Sequence, residues 1–196
     1  METIRAFVAL ELDATSVRRV MRVSDRLRMA SGAPSATWTP PARAHVTLKF
    51  MGELPATAVA PLGEALAALA GGKKAPRPGT FRLEAFPSAQ AASVVVIELE
   101  DPDGGVAKLA TKVEKLAEKY GVKRESRAYR PHVTLARLKM PYDARRWLKR
   151  ELAEGAGECR ATRLTLYRSD LGSAGSVYVP LRTWEYEVPS VAGTER

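Results

Sequence analysis

Residues 37–54 read TWTPPARAHVTLKFMGEL and residues 129–138 read YRPHVTLARL, so one tetrapeptide, His-Val-Thr-Leu, stands at 45–48 and again at 132–135. These are the only two histidines of the chain. In an extended strand, side chains alternate between faces. His45 and Thr47 therefore project one way and Val46 and Leu48 the other, and His132, Thr134, Val133 and Leu135 repeat the arrangement. Each strand offers an imidazole and, about 6–7 Å along the same face, a hydroxyl. A lone histidine is ordinarily satisfied by a neighbouring carbonyl and needs no further role. Two copies that share the same hydroxyl neighbour are instead an internal repeat, which points to duplication or shared function.

Working outward, the apolar run 4–12 reads as a buried strand, after which Asp13, Thr15 or Ser16 can cap a helix through Val17, Val20, Val23 and Leu27. Gly32, Pro34, Pro40 and Pro41 make 31–41 a loop that delivers the chain into a strand over 44–51. A helix follows to Ala70, then an exposed basic loop, GGKKAPRPG, holding Lys73, Lys74 and Arg77. Strands are expected over 80–86 and 93–99. Val106, Leu109, Val113, Leu116 and Tyr120 mark an amphipathic helix ended by Gly121. The strand 129–138 and a basic helix from Pro141 and Asp143 to Leu152 come next, and 160–169 with 176–188 form a closing antiparallel pair. Strands and helices do not alternate regularly, which favours a mixed or antiparallel α+β architecture over a doubly wound parallel sheet.

With 196 residues, 45% hydrophobic and 27% charged, the chain is an ordinary folded domain and neither a disordered tail nor a collagen-like rod. Cys159 stands alone, so no internal disulfide forms, and with no histidine left over to activate it, it is a small buried residue and not a nucleophile. The apolar run 6–10 is interrupted by Glu11 and Asp13, too short for a signal core or a membrane span. A cytoplasmic protein with no membrane attachment is expected. The formal net charge of +9 favours a polyanionic partner such as RNA. Neither a G-x-G-x-x-G nor a G-x-x-x-x-G-K-[ST] run is present, so no nucleotide-cofactor domain of those kinds is expected.

Two imidazoles facing one space suit phosphodiester cleavage: a neutral histidine takes a proton from the attacking oxygen and a protonated one gives a proton to the leaving oxygen. Hydroxyls and cations hold the phosphoryl oxygens. No metal is required, and neither histidine has a nearby His or carboxylate at ligand spacing. By strand parity Lys49 shares the face of His45, Arg130 shares that of His132, and Arg43 precedes the first strand on matching parity. Arg137 is out of phase unless a bulge turns it inward. Trp38, Tyr129 and Tyr178 are possible stacking partners for bases, with core packing as their ordinary use.

The two H-x-T-L motifs resemble the paired H-x-T-x signatures of the two-histidine (2H) phosphoesterases. The context is similar to the RNA 2′,3′-cyclic phosphodiesterases, the LigT-like or 2′-5′ RNA ligase family: Trp38, Phe50 and Gly52 around the first motif, Pro131 and Arg137 around the second. RAFVALEL at 5–12 and LTLYRSDLGSAGSVYVPL at 164–181 resemble its first and last strands. One departure is the run AFPSAQAASVVVIEL at 85–99, which keeps Phe-Pro but lacks the preceding Gly and the Arg-rich stretch leading to Trp.

The resemblance implies a bilobal, pseudo-twofold α+β fold, with two mainly antiparallel sheets facing a central cleft and helices outside. It implies one such domain over 1–189, with 190–196 a frayed tail. The implied reaction opens an RNA terminal 2′,3′-cyclic phosphate to a 2′-phosphate, with His45 as proton donor to the 3′-oxygen, His132 as proton acceptor from water, and no cofactor. Thr47 and Thr134 bind phosphoryl oxygens, joined by Arg130, Arg137, Lys49 and Arg43. The implied partner is RNA with a cyclic end, tRNA fragments among the candidates, acted on by a monomer. The alternatives are ATP-independent 2′-5′ end joining and a non-catalytic RNA-binding module.

Overall fold

The structure, a computed structural model, describes residues 2–149, 158–172 and 175–187. Along the chain run β1 (Thr3–Leu12), α1 (Ala14–Met29), β2 (Ala36–Trp38), β3 (His45–Pro55), α2 (Val59–Ala70), β4 (Phe81–Phe86) and β5 (Ala92–Leu99). Then come α3 (Gly105–Glu118), β6 (His132–Tyr142), α4 (Arg145–Lys149), β7 (Ala161–Gly172) and β8 (Gly175–Glu185). Asp13 caps α1, its carboxylate accepting the Ser16 N–H at 2.6 Å. Asp101 does the same service for α3 through the N–H groups of Val106 and Ala107. Gly121, at φ 76°, turns the chain away after α3, a conformation costly for any residue with a Cβ.

Every strand pair is antiparallel, and the order across the sheet is β4-β5-β6-β3-β1-β7-β8, with β2 paired to the far end of β6. The two expected sheets are thus the halves of one hydrogen-bonded sheet. They join where β3 meets β6, through the single pair Val46–Val133. About that pair the halves correspond: β3 to β6, β1 to β5, and the helix between each couple, α1 to α3. Each connecting helix crosses over, α1 packing against β6 and α3 against β3.

One face of the sheet carries Ala6, Val8, Leu10, Val46, Leu48, Val133, Leu135, Val95, Ile97, Leu164 and Leu166, packed against the apolar stripes of the helices in one continuous core. The other face carries Phe7, Glu11, the two histidine–threonine pairs, Glu98, Thr165 and Tyr167. The period-2 pattern of the strands and the 3.6-period pattern of the helices specify this division.

The differences from the sequence reading are local. A three-residue strand, β2, lies within the expected loop 31–41, placed between its prolines so that none has to donate to the ladder. β6 begins at His132 and not at Tyr129, because Pro131 has no N–H to give. It runs on to Tyr142, so α4 starts later than Pro141. The C-terminal part of that expected helix and the expected tail 190–196 lie outside the described residues. Cys159 is buried, and burial pushes its thiol up to about 11.

Candidate active site

Both motif strands carry the same irregularity. Ala9 pairs with Thr47 and Val8 with Lys49, leaving Leu48 as the extra residue of a bulge; Val96 pairs with Thr134 and Val95 with Ala136, leaving Leu135. A bulge inserts one residue and reverses the parity beyond it. Positions 45–53 and 132–140 consequently show the same succession of half-buried, buried and exposed residues.

The bulge corrects the expectation for Lys49. Instead of sharing the face of His45, its ammonium points to the helical side, 8% exposed, donating to Glu114 Oε1 at 2.6 Å and to the Lys123 carbonyl at 2.8 Å. The same bulge in β6 turns the out-of-phase Arg137 to the cleft face, where its counterpart in β3 is Phe50. Among the described residues the Arg137 guanidinium has no ion-pair or hydrogen-bond partner.

Val46–Val133 pairing sets His45 and His132 on opposite sides of that pair, on one face of the sheet. His132 donates from Nδ1 to the Arg130 carbonyl at 2.7 Å. A carbonyl can only accept, so this bond fixes the tautomer of His132. In His132 it leaves Nε2 for the cleft; in His45, Nε2 lies 3.2 Å from Thr47 Oγ1.

A cavity of about 710 Å³ is lined by Thr47, Phe50, Arg130, His132, Thr134 and Arg137 and runs on past Lys49 to Glu114 and Lys115 of α3. His45 is set deeper and is not among its lining residues. It is stacked on Phe7 at 5.1 Å and met edge-on by Tyr178 at 5.5 Å. His132 is met edge-on by Phe86 at 5.1 Å. These apolar walls disfavour the charged imidazolium. Burial brings His45 down to about 4, opposed by the Arg43 backbone and by Glu11, and reinforced by His132. Burial also lowers His132, opposed by the Arg130 carbonyl and Glu98, while the Arg130 and Arg137 charges add to the lowering.

The other expected residues are placed as follows. Arg130 makes a two-pronged ion pair with Glu98, 2.6 and 2.8 Å, and lies over the Phe86 ring at 4.7 Å, yet remains 46% exposed at the rim. Arg43 is drawn towards β8, donating to the Ser176 carbonyl at 2.6 Å. Tyr129 donates its hydroxyl to the Thr47 carbonyl at 2.9 Å, tying the segment before His132 to the first motif strand. Trp38 packs in the core against Trp147. Among the described residues no three His, Cys, Asp or Glu side chains converge as metal ligands would, and no helix is long and apolar enough to cross a membrane.

Two residues escaped the sequence reading: Glu11, register partner of His45, and Glu98, register partner of His132. A signal was there. Glu11 and Glu98 are 87 positions apart (98 − 11), the separation of the histidines (132 − 45) and of Arg43 and Arg130, and Ala-Leu-Glu-Leu at 9–12 parallels Val-Ile-Glu-Leu at 96–99.

A duplicated antiparallel α+β sheet that presents two histidine–threonine pairs on one face is the architecture of the two-histidine class. The chain belongs to the 2′-5′ RNA ligase superfamily, whose sequence model matches residues 16–173. It is 30% identical over 156 residues to the RNA 2′,3′-cyclic phosphodiesterase of Aeropyrum pernix, covering 76% of this chain and 82% of that one. It is 27% identical over 186 residues to the enzyme of the same name from Archaeoglobus fulgidus, covering 93% and 100%. The fold superposes on Escherichia coli LigT complexed with 3′-AMP with a TM-score of 0.71 at 20% identity, covering 94% and 99%. It superposes on a Thermus thermophilus protein with a TM-score of 0.77 at 23% identity, covering 93% and 97%.

Proposed function

We propose that this chain is an RNA 2′,3′-cyclic phosphodiesterase that opens the cyclic ester to a 2′-phosphate by acid–base catalysis between His132 and His45. The supporting observation is the presentation of two imidazoles on one face of the sheet, on either side of the pair Val46–Val133, His132 held by the Arg130 carbonyl and His45 beside the Thr47 hydroxyl. His132 Nε2 takes a proton from water as the water oxygen bonds to phosphorus. The bond from phosphorus to the 3′-oxygen breaks, and His45 delivers its proton to that oxygen. Thr47, Thr134 and Arg137 hold the non-bridging oxygens as charge develops on them. Burial leaves both histidines neutral in the free enzyme at neutral pH. The bound phosphodiester anion favours an imidazolium beside it and so brings in the proton that the step consumes.

The names of the relatives support RNA as the substrate class. Fragments with cyclic ends, those of tRNA included, are the proposed substrates, and a soluble monomer in the cytoplasm the proposed working form. The test is a dinucleotide ending in a 2′,3′-cyclic phosphate, incubated with chelator and analysed for 2′- against 3′-phosphate product. Wild-type turnover by His45→Ala or His132→Ala would reject the proposal. Joined product from paired RNA half-molecules would show that a 5′-hydroxyl replaces water.

A further inference from the structure

The two carboxylates that face the histidines across the sheet do not touch the cavity's centre, yet each is the anchor of a wall. Glu11 Oε1 accepts from Thr165 Oγ1 at 2.6 Å and from the Tyr167 hydroxyl at 2.7 Å, and its Oε2 meets Arg163 at 2.7 Å. The Tyr167 ring stacks on Phe7 at 5.0 Å, and Phe7 stacks on His45. Glu98, 8% exposed, takes both prongs of Arg130 and the Nε of Arg82 at 3.1 Å; Arg130 lies on Phe86, whose ring edge meets His132. In both halves the order is carboxylate, donor side chain, phenylalanine, imidazole. The two chains of contact differ in the donor, Tyr167 in one and Arg130 in the other, and their end residues stand 87 positions apart (98 − 11 and 132 − 45).

We infer that Glu11 and Glu98 are a duplicated pair of positioning residues, each fixing the plane of one histidine through the aromatic wall it anchors. The carboxylates are the less exposed partners, Glu11 18% and Glu98 10% on their side chains, and a Tyr167 hydroxyl or Arg130 guanidinium that loses its acceptor is free to turn to water or to another group. Loss of the carboxylate thus releases the ring, and the imidazole with it. It also removes the negative charge that favours the imidazolium.

The groups facing His45 are Glu11 from β1, the Arg43 segment ahead of its own strand, His132 from β6, Tyr167 from β7 and Tyr178 from β8. Those facing His132 are Glu98 from β5, Phe86 from β4, and Arg130 and Arg137 from its own segment, with Arg82 behind Glu98. Removing either glutamate charge leaves arginine unbalanced near that histidine, so both changes lower its titration midpoint.

The experiment uses Glu11→Gln and Glu98→Gln, with the imidazole signals followed by NMR against pH; two histidines give two resolvable sets, assigned with the alanine variants. Glu11→Gln should lower the midpoint of His45 and spare His132, and Glu98→Gln the reverse. Each should reduce kcat by between about 10- and 100-fold, as expected when a reacting group loses its alignment. A folded Gln variant whose own histidine titrates as in wild type would overturn the inference. Should a Gln variant not fold, Glu11→Asp or Glu98→Asp keeps the charge and withdraws the carboxylate: kcat should fall with the midpoint near wild type, and unchanged kcat would overturn it. Only the kinetic arm rests on the cyclic-phosphate reading. An inactive wild type would sink that reading while the titrations still judge this one.

Discussion

Val46 of β3 and Val133 of β6 form the pair through which the two halves of the sheet join, and both side chains are fully buried. The separation of the two imidazoles is therefore set by residues that touch no substrate. Val46→Ala and Val133→Ala should each cost about 1–3 kcal/mol by leaving a cavity in the core. As neighbours they should not add: the double variant should depart from the sum by about 0.5 kcal/mol or more. Denaturant melts of the three variants check this.

Replacing either histidine by alanine should reduce kcat/KM on a cyclic-ended dinucleotide by about 10²–10⁴. If they act in one proton-transfer step, the double variant should be little worse than the single ones. Initial rates in chelator, with circular dichroism to verify folding, provide the measurement.

The pH profile should be shifted to acid. With one histidine protonated and the other neutral, kcat/KM follows the free enzyme, where burial holds His45 at about 4 and lowers His132 as well. Its maximum should lie below about pH 6.5, the ordinary imidazole value. The profile of kcat, measured with the phosphodiester anion bound, should peak at higher pH, and coincident maxima would contradict it. The apparent values belong to the coupled pair.

The same depression makes a stability claim. An unfolded imidazole binds its proton near 6.5 and the folded His45 only near 4, so the unfolded state holds more protons between these values. The contribution of His45 is complete above about pH 6.5 and is lost as pH falls towards 4, by roughly 3 kcal/mol at the lower limit. Between about pH 7 and pH 4, His45→Ala should lose less unfolding free energy than wild type.

Lys49 and Arg137 should separate cleanly. Lys49→Met strands the carboxylate of Glu114, itself mostly buried, and should cost about 3 kcal/mol of stability, with little change in the salt dependence of RNA binding. Arg137→Ala should leave the melt within about 0.5 kcal/mol and lower the slope of log K against log salt by about 0.7, one phosphate contact on a single strand. Salt titrations of a fluorescent RNA end distinguish the two.

The positions of the motif strands and of helices α1, α2 and α3 were legible because apolar period and cap residues coincide there: Asp13 before Val17 and Val20, Gly121 after Leu116. The face of Lys49 was not. Parity reasoning assumes an unbroken ladder, and a bulge at Leu48 leaves no mark, since leucine suits either a paired or an unpaired buried position. For Arg137 the bulge that would turn it inward was named as a condition, and the register supplies it. Glu11 and Glu98 were missed for a different reason: a glutamate within an apolar strand gains its meaning from its neighbour across the sheet, and register is not written locally. β2 was hidden by its prolines, which argue against a ladder yet stand just outside it.

The crossing of α1 beneath β6 and of α3 beneath β3 has a consequence for the origin of the chain. In this chain part of the apolar stripe of each helix is covered by a strand of the other half. A single copy of the repeated unit would leave that part in water unless it embraced a twin, each lending the other its helix. Fusion of two such genes end to end would have made that embrace permanent and freed the two halves to diverge, as Phe50 and Arg137 have.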